Sequence, residues 1–376
     1  MKKIIHQIHL VLGLASGLVV LVVSLTGCLY VFEEEVRDWT QAHYLYVRPE
    51  SRVKLPVSEA VALAQQAFPG EKVTQVRWKT GPEHALLVRT QRNQLISLNP
   101  YSGAVLGVRD MDTDFLSVVE HLHTSLLLGS VGKEIVRWNV LIFFVLLISG
   151  LVLWFPANAK FLRQAFALRW TGRWRKLNYD FHRIGGFYLA WVLLPIALSG
   201  IWWGFDSAKD FVYWATGSPA RYRDKVVSAP PRASSPWRPV RYVAAQPSGS
   251  TPPEKARLQH CFDQAAALAP GYRQAFVSLP QDSLATIRVL FRYPYTSLVR
   301  DQSQFHFDQY TGQLLRADPY QAYSVADKVR SSNYDLHTGR MFGLGGKVLA
   351  FLASLFAASL PITGFWVWWG KRRPRK

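Results

Sequence analysis

The sequence predicts an α-helical membrane protein: a four-helix transmembrane bundle with two α+β segments outside the bilayer and an internal two-fold duplication. Three observations predict it. The 376 residues are 49% hydrophobic and 18% charged, a balance that favours a bilayer over a soluble domain. The apolar residues gather into four runs near 10–32, 138–155, 187–205 and 348–369, and about 20 such residues cross the hydrocarbon as a helix. Each run also holds a Ser/Thr-Gly pair, namely Thr26-Gly27, Ser149-Gly150, Ser199-Gly200 and Thr363-Gly364.

The elements follow in order. Residues 1–32 are the first span. Residues 33–120 form the first outer segment, with an amphipathic helix Ser58–Phe68 that Ser58 caps, then alternating strands near 73–79, 84–90 and 94–98. A Tyr-Ser-Gly turn at 101–103 leads to one more short strand. Residues 121–156 hold a histidine segment and the second span, 157–181 a basic loop, and 182–205 the third span. The second outer segment, 206–336, contains a Pro/Ser-rich linker at 228–253, a helix near 254–269 and strands near 274–279, 285–292 and 303–308. Residues 337–370 repeat the histidine segment and supply the fourth span, and 371–376 are a basic tail.

Charge sets the orientation, because short cytoplasmic loops collect Lys and Arg. The link between spans two and three carries Lys160, Arg163, Arg169, Arg173, Arg175, Lys176 and Arg183 against one acid, Asp180, and the tail reads KRRPRK. Both termini and this link are therefore expected in the cytoplasm of a multi-pass protein. The net charge of +19 does not point to nucleic acid: segment 33–120 has 10 basic and 12 acidic residues and 206–336 has 16 and 11, so about two thirds of the excess lies in the cytoplasmic pieces. The only cysteines are Cys28 and Cys261, which is no disulfide framework. Leu25-Thr26-Gly27-Cys28 resembles a lipoprotein cleavage site, but the Thr-Gly element recurs in spans that no signal peptidase would process.

The repeat is strict in register. His9 precedes Thr26 by 17 residues, as His182 precedes Ser199; His123 precedes Ser149 by 26, as His337 precedes Thr363. Residues 123–133 and 337–347 both read His-Thr, four residues, Gly, two residues, Gly-Lys. Leu98–Leu106 parallels Phe307–Leu315. Each half is thus span, outer segment, span.

Ionisable residues at a membrane are functional by default, and four histidines in symmetric places call for one explanation. At about 1.5 Å per residue, 17 residues cover about 26 Å, which puts His9 and His182 at the cytoplasmic edge while His123 and His337 enter from outside. Two imidazoles facing each other across a bundle are the axial ligands of a b-type haem. The expectation is therefore two b-type haems, with His9 and His182 on one iron and His123 and His337 on the other. Gly13 and Gly186, and Gly129 and Gly343, would admit a flat macrocycle. His6 could replace His9, and His121 could replace His123. His43, His84, His260 and His306 lack metal-site spacing. His123 lies about 15 residues before the apolar core, so the helix is expected to break at Gly129 and Gly132, and likewise at Gly343 and Gly346, and fold back. Glu33–Glu35 read as a solvated charge run. The Gly-x-x-Gly-Lys elements lack the strand and Ser/Thr of a phosphate loop, and no dinucleotide fingerprint occurs.

His9-x3-Gly, Leu122-His123-Thr124, Ile148-Ser149-Gly150-Leu151 to Trp154, Phe181-His182-Arg183 and Leu336-His337-Thr338-Gly339 together resemble the PepSY-associated transmembrane family, over essentially the whole chain. The resemblance implies that both outer segments are periplasmic PepSY-like domains. Within the family the layout is similar to bacterial inner-membrane ferric-siderophore reductases of the ferrioxamine type. It implies a di-haem oxidoreductase that delivers electrons from a cytoplasmic or quinol donor to a periplasmic ferric siderophore, of hydroxamate type, and releases Fe(II). Arg340 and Lys347 would steer an acidic chelate. Two other readings share the sequence: a quinol-linked b-type cytochrome serving another periplasmic acceptor, and a non-enzymatic, membrane-anchored PepSY protein that binds or modulates a protease.

Overall fold

In the computed structural model, residues 2–156, 158–166, 173–229, 253–295 and 298–372 are described. Arg169, most of the 228–253 linker and the end of the tail lie outside them. The helices are α1 (Lys2–Val31), α2 (Glu33–Thr40), α3 (Ala42–Leu45), α4 (Val57–Ala67), α5 (Phe115–Ser125), α6 (Gly129–Trp154), α7 (Leu162–Ala165), α8 (Trp174–Asp180), α9 (Gly186–Gly204), α10 (Asp206–Ala215), α11 (Glu254–Leu268), α12 (Val325–His337) and α13 (Gly343–Arg372). The strands are β1 (Val73–Lys79), β2 (Leu86–Thr90), β3 (Gln94–Leu98), β4 (Val105–Asp110), β5 (Gln274–Ser278), β6 (Ile287–Arg292), β7 (Gln302–Phe307) and β8 (Leu314–Asp318). Two compact units result, one of residues 1–33, 115–212 and 332–376, the other of 34–114 and 213–331.

The first unit is a helical bundle. Four of its helical stretches, Lys2–Val31, Gly129–Trp154, Trp174–Gly204 and Arg340–Gly370, are long and apolar enough to cross a membrane. They run longer than the apolar runs alone because helix continues into the flanking residues. Helix α1 packs on α6 and α13, and α9 closes the ring against the same two. Small residues allow the approach: a Cβ on Gly17 would come within 3.1 Å of Pro361, and α13 buries Ala350, Ala353, Ala357 and Ala358. The opposite face of α1 is Leu14, Leu18, Leu25 and Leu29, with Leu18 74% exposed, a surface suited to lipid and not to water. Asp180 leads through a π-helical turn, Phe181–Gly185, into α9; such turns concentrate at functional sites.

The corner before α6 folds as its glycines require. After α5 the chain turns at Leu126, Leu127 and Gly129, all with positive φ. Gly132 then passes so close to α5 that a Cβ there would lie 1.7 Å from the Ser125 carbonyl oxygen. Gly339 and Gly343, also at positive φ, make the matching corner before α13, and Gly346 sits against the Gly339 carbonyl in the place of Gly132.

The second unit is one eight-stranded antiparallel sheet in the order β4-β3-β2-β1-β5-β6-β7-β8. The two outer segments thus share a sheet, joined where β1 pairs β5 through Val76 and Val277. Pairing these edges removes two rows of open backbone groups. The cross-strand row Val76, Val88, Ile96, Val108 in the first four strands has its counterpart Val277, Val289, Phe305, Ala317 in the second four. A register shift falls at Ser97/Leu98 and again at His306/Phe307. Helices α4 and α11 cover the apolar face, with Val57, Ala60, Leu258, Phe262, Phe291 and Phe305 in a common core. Each β-turn repeats too: the Asn99 side chain accepts from the Tyr101 and Ser102 N–H groups, and Asp308 does so from Tyr310 and Thr311. Ser58 does not cap α4; the helix starts one residue earlier, after Pro56, whose fixed φ sets the entry, and Ser58 is buried in the first turn.

Candidate functional site: two histidine pairs in the bundle

The bundle brings the four histidines together as two pairs. The rings of His9 on α1 and His182 in the π turn have centroids 6.5 Å apart, and those of His123 at the end of α5 and His337 at the end of α12 are 6.1 Å apart. Along α1, His9 and the Val23–Gly27 stretch that receives His123 are about 21–27 Å apart at 1.5 Å per residue. The pairs therefore sit at opposite ends of the bundle.

Each histidine docks on the Ser/Thr-Gly pair of another helix. His9 Nδ1 lies 2.8 Å from Ser149 Oγ, His182 Nδ1 2.8 Å from Thr363 Oγ1, His337 Nδ1 2.8 Å from Ser199 Oγ and His123 Nδ1 3.2 Å from Thr26 Oγ1. All four hydroxyls donate back to a carbonyl of their own helix, for example Ser199 to Ile196 at 2.6 Å and Thr26 to Val22 at 2.7 Å. With its proton committed, the hydroxyl oxygen can only accept, so the imidazole Nδ1 must carry the hydrogen. Two backbone carbonyls impose the same tautomer, Val23 at 2.9 Å from His123 Nδ1 and Ile196 at 3.1 Å from His337 Nδ1. Nε2 keeps its lone pair and makes no hydrogen bond among the described residues. This is the arrangement by which an imidazole is held as a metal ligand.

The glycine beside each hydroxyl makes room for the ring. A Cβ on Gly27 would meet His123 Cε1 at 3.2 Å, on Gly364 His182 Cε1 at 3.2 Å and on Gly150 His9 Cε1 at 3.4 Å; on Gly200 it would meet Val140 Cγ2 first, at 3.0 Å, with His337 Cε1 in ordinary contact at 3.9 Å. Spans one and two thereby hold each other's histidine, and so do spans three and four.

Two side chains that the repeat does not reveal complete the second half. Asn178 and Asn333, each four residues before a paired histidine, are buried and donate to the carbonyls of Thr363 (3.0 Å) and Ser199 (3.1 Å). Histidine and asparagine, one helical turn apart, thus grip the same residue by its hydroxyl and its carbonyl. The signal is present in the sequence as Asn-x3-His at 178–182 and 333–337, but Ile5 and Val119 stand at those places in the first half, which hides it from a comparison of the halves.

The separations suit one metal ion per pair. Two metal–imidazole bonds of about 2.0 Å, each extended by roughly 1.2 Å to the ring centre, put the centroids about 6.4 Å apart. Around His9 and His182 lies a cleft of about 470 Å³ walled by Leu10, Gly13, Val20, Phe143, Leu147 and Phe187 among others, within the range of cofactor pockets. Gly13 and Gly186 face it, and a Cβ added to either would have no neighbour nearer than 3.8 Å. At the other pair, Trp203 packs edge-on to His337 at 5.1 Å.

The remaining candidates fall elsewhere. His6 lines the cleft but is not in a facing pair; His121 is exposed. His43 packs on Tyr44, His84 bonds Glu83, His260 is exposed and His306 lies in the sheet, all in the second unit. Lys347 is buried, which removes it from a steering surface, while Arg340 is partly exposed.

No curated protein matches the chain. The family described as PepSY-associated TM region matches residues 6–371, a stretch that takes in all four paired histidines and all four Ser/Thr-Gly pairs. By that match over nearly its whole length, the chain belongs to the PepSY-associated TM region family.

Proposed function

We propose that the chain is a di-haem reductase of a bacterial inner membrane, passing electrons from the cytoplasmic end at His9 and His182 to the periplasmic end at His123 and His337, where a ferric siderophore is reduced. The observation that carries this reading is the pair of imidazole pairs, at 6.5 and 6.1 Å, with every Nδ1 tied down and every Nε2 available. No group of three or more His, Cys, Asp or Glu that could hold a metal occurs among the described residues. An ion held by two imidazoles therefore takes its other ligands from a macrocycle, and the cleft about His9 and His182 is of the right size for one. Haem bound there supplies one-electron chemistry. The protein's part is to orient the imidazoles, to keep Nδ1 protonated, and to exclude water around the pairs.

The matched registers of the two halves support a duplication, in which the two segments of the sheet are PepSY-like domains that have fused edge to edge. The basic link and tail support cytoplasmic termini. The substrate class rests on the resemblance to ferrioxamine-type reductases. One electron converts Fe(III) to Fe(II), and the softer product leaves the oxygen donors that held the ferric ion.

The test begins with the spectrum of the purified protein. A Soret band and, after dithionite, sharp α and β bands are expected, with two haems per chain. His123→Ala or His337→Ala should remove one haem and leave the other; a protein with no haem bands, or variants that lose neither, would refute the reading. Stopped-flow reoxidation of the reduced protein by ferrioxamine, faster than by non-chelated acceptors, checks the substrate.

A further inference from the structure

The cleft around His9 and His182 is not uniform. Its polar side chains other than the two facing histidines are Ser16, whose hydroxyl donates to Leu12, and a group at one end: His6, Trp154, Tyr179, Arg183 and Trp368. His6 stands three residues before His9, Tyr179 three before His182, and Trp154 five beyond Ser149, which receives His9. His6, Tyr179 and Trp154 are thus displaced toward the same end of the cleft, about one turn beyond the imidazoles, as is Trp368, five residues beyond Thr363, while Arg183 directly follows His182 and reaches that end with its guanidinium over the Tyr179 ring. The other end is closed by Val20, Phe143, Leu146 and Pro361.

Two donors at the polar end are unsatisfied. Arg183 Nε and Trp154 Nε1 are buried and have no hydrogen-bond partner. Buried polar groups are nearly always paired, so each such orphan marks a missing acceptor. The nearest acid does not fill the place: Asp180 forms an ion pair with Arg183 Nη2 at 4.0 Å, beyond hydrogen-bond range, and gives Nε no acceptor, while the guanidinium also lies over the Tyr179 ring at 5.7 Å.

We infer that His6, Trp154, Tyr179 and Arg183 form a carboxylate-binding edge, which accepts the acid side chains of the planar ligand held by His9 and His182 and so fixes which way round it sits. The inference rests on the haem reading of that pair. A guanidinium and an indole N–H are suited to carboxylate oxygens, and the aliphatic end takes the uncharged rim of the macrocycle. The site thereby selects a free-acid porphyrin over an esterified one, and its acids point toward the beginning of α1.

The experiment uses full-length protein in detergent, stripped of ligand and carrying His337→Ala so that only the His9/His182 pair gives a bis-imidazole spectrum. Protohaem and its dimethyl ester are titrated in turn and followed in the Soret region. The free acid is expected to bind at least about tenfold more tightly than the diester, as for a charge-assisted hydrogen bond. Arg183→Gln should abolish most of that preference by weakening the acid alone, and Arg183→Lys should keep part of it. Trp154→Phe, which removes only the N–H donor, should reduce it severalfold and serves if Arg183→Gln does not fold. An undiminished preference in both Arg183→Gln and Trp154→Phe, or equal binding of the two compounds by the parent, overturns the carboxylate edge while leaving the haem reading intact. A parent that gives no bis-imidazole spectrum with either compound removes both.

Discussion

Thr363 Oγ1 accepts a hydrogen bond from His182 Nδ1 at 2.8 Å, while the Thr363 carbonyl accepts from Asn178 at 3.0 Å. Thr363→Val keeps the shape of the side chain but leaves the imidazole N–H without its acceptor. Binding of haem at the His9/His182 pair should weaken by about 10- to 100-fold, the usual cost of losing a partner behind a ligand, and Thr363→Ser should restore it. A haem titration of the two variants checks this.

Gly13 faces the cleft with room to spare, its nearest neighbour to an added Cβ being Leu146 at 3.8 Å. Gly13→Leu should therefore fold and fill the cavity. The expected result is one haem per chain in place of two, with the surviving spectrum abolished by His123→Ala and unaffected by His182→Ala.

The corner before α6 separates two kinds of glycine. Gly129 has φ of 58° and nothing within 4 Å of an added Cβ, so Gly129→Ala should cost about 1 kcal/mol in backbone strain. Gly132→Ala would drive a methyl group into the Ser125 carbonyl and should prevent α5 from folding back. Thermal denaturation should show a small shift for the first variant and loss of the folded protein, or of the His123 site, for the second.

His306 gives the sheet a pH dependence. Burial pushes it down to about 4 from 6.5, with Arg288 and Arg316 adding to the effect and Asp318 opposing it; Thr286 holds its Nδ1 at 3.0 Å. The folded form thus stays neutral where the unfolded chain takes up a proton, so this contribution to stability is complete above about pH 6.5 and is lost as pH falls toward 4. Unfolding midpoints measured at pH 7 and 4.5 should differ less in His306→Asn than in the parent.

Phe291, fully buried between Phe262, Tyr272 and Phe305, tests the shared core. Phe291→Ala should destabilise the second unit by about 3–5 kcal/mol, and because α4 and α11 rest on the same core, the strands of both segments should lose protection against hydrogen exchange together.

The spans, the strands and the pairing of the four histidines were legible in the sequence because each follows from a fixed repeat: 1.5 Å per helical residue, two-residue alternation in strands, and offsets of 17 and 26 shared by the halves. What the Ser/Thr-Gly pairs do was not legible. They marked the register, but their partners lie on other helices, and nothing local says that the Ser149 hydroxyl meets His9, 140 residues away. The β1–β5 join was hidden for the same reason: Val76 and Val277 alternate as core residues would in two separate sheets or in one. The start of α4 was misplaced by one residue because Ser58 is a good cap by composition, whereas Pro56 decides the geometry.

The β1–β5 join also sets an order of events during synthesis. Strand β1 has its partner β2, with β3 and β4 beyond it, as soon as residue 110 is made, yet its other edge waits for β5 at Gln274–Ser278. Roughly 160 residues at about 5–20 residues per second make that delay on the order of 10–30 s, with two spans still to be inserted. Throughout it the first segment presents an unpaired edge of open backbone groups to whatever lies nearby. A second copy of the same half-made chain offers the same edge, so the nascent protein is most exposed to mispairing while neighbouring copies are being inserted, before its own second half arrives to compete.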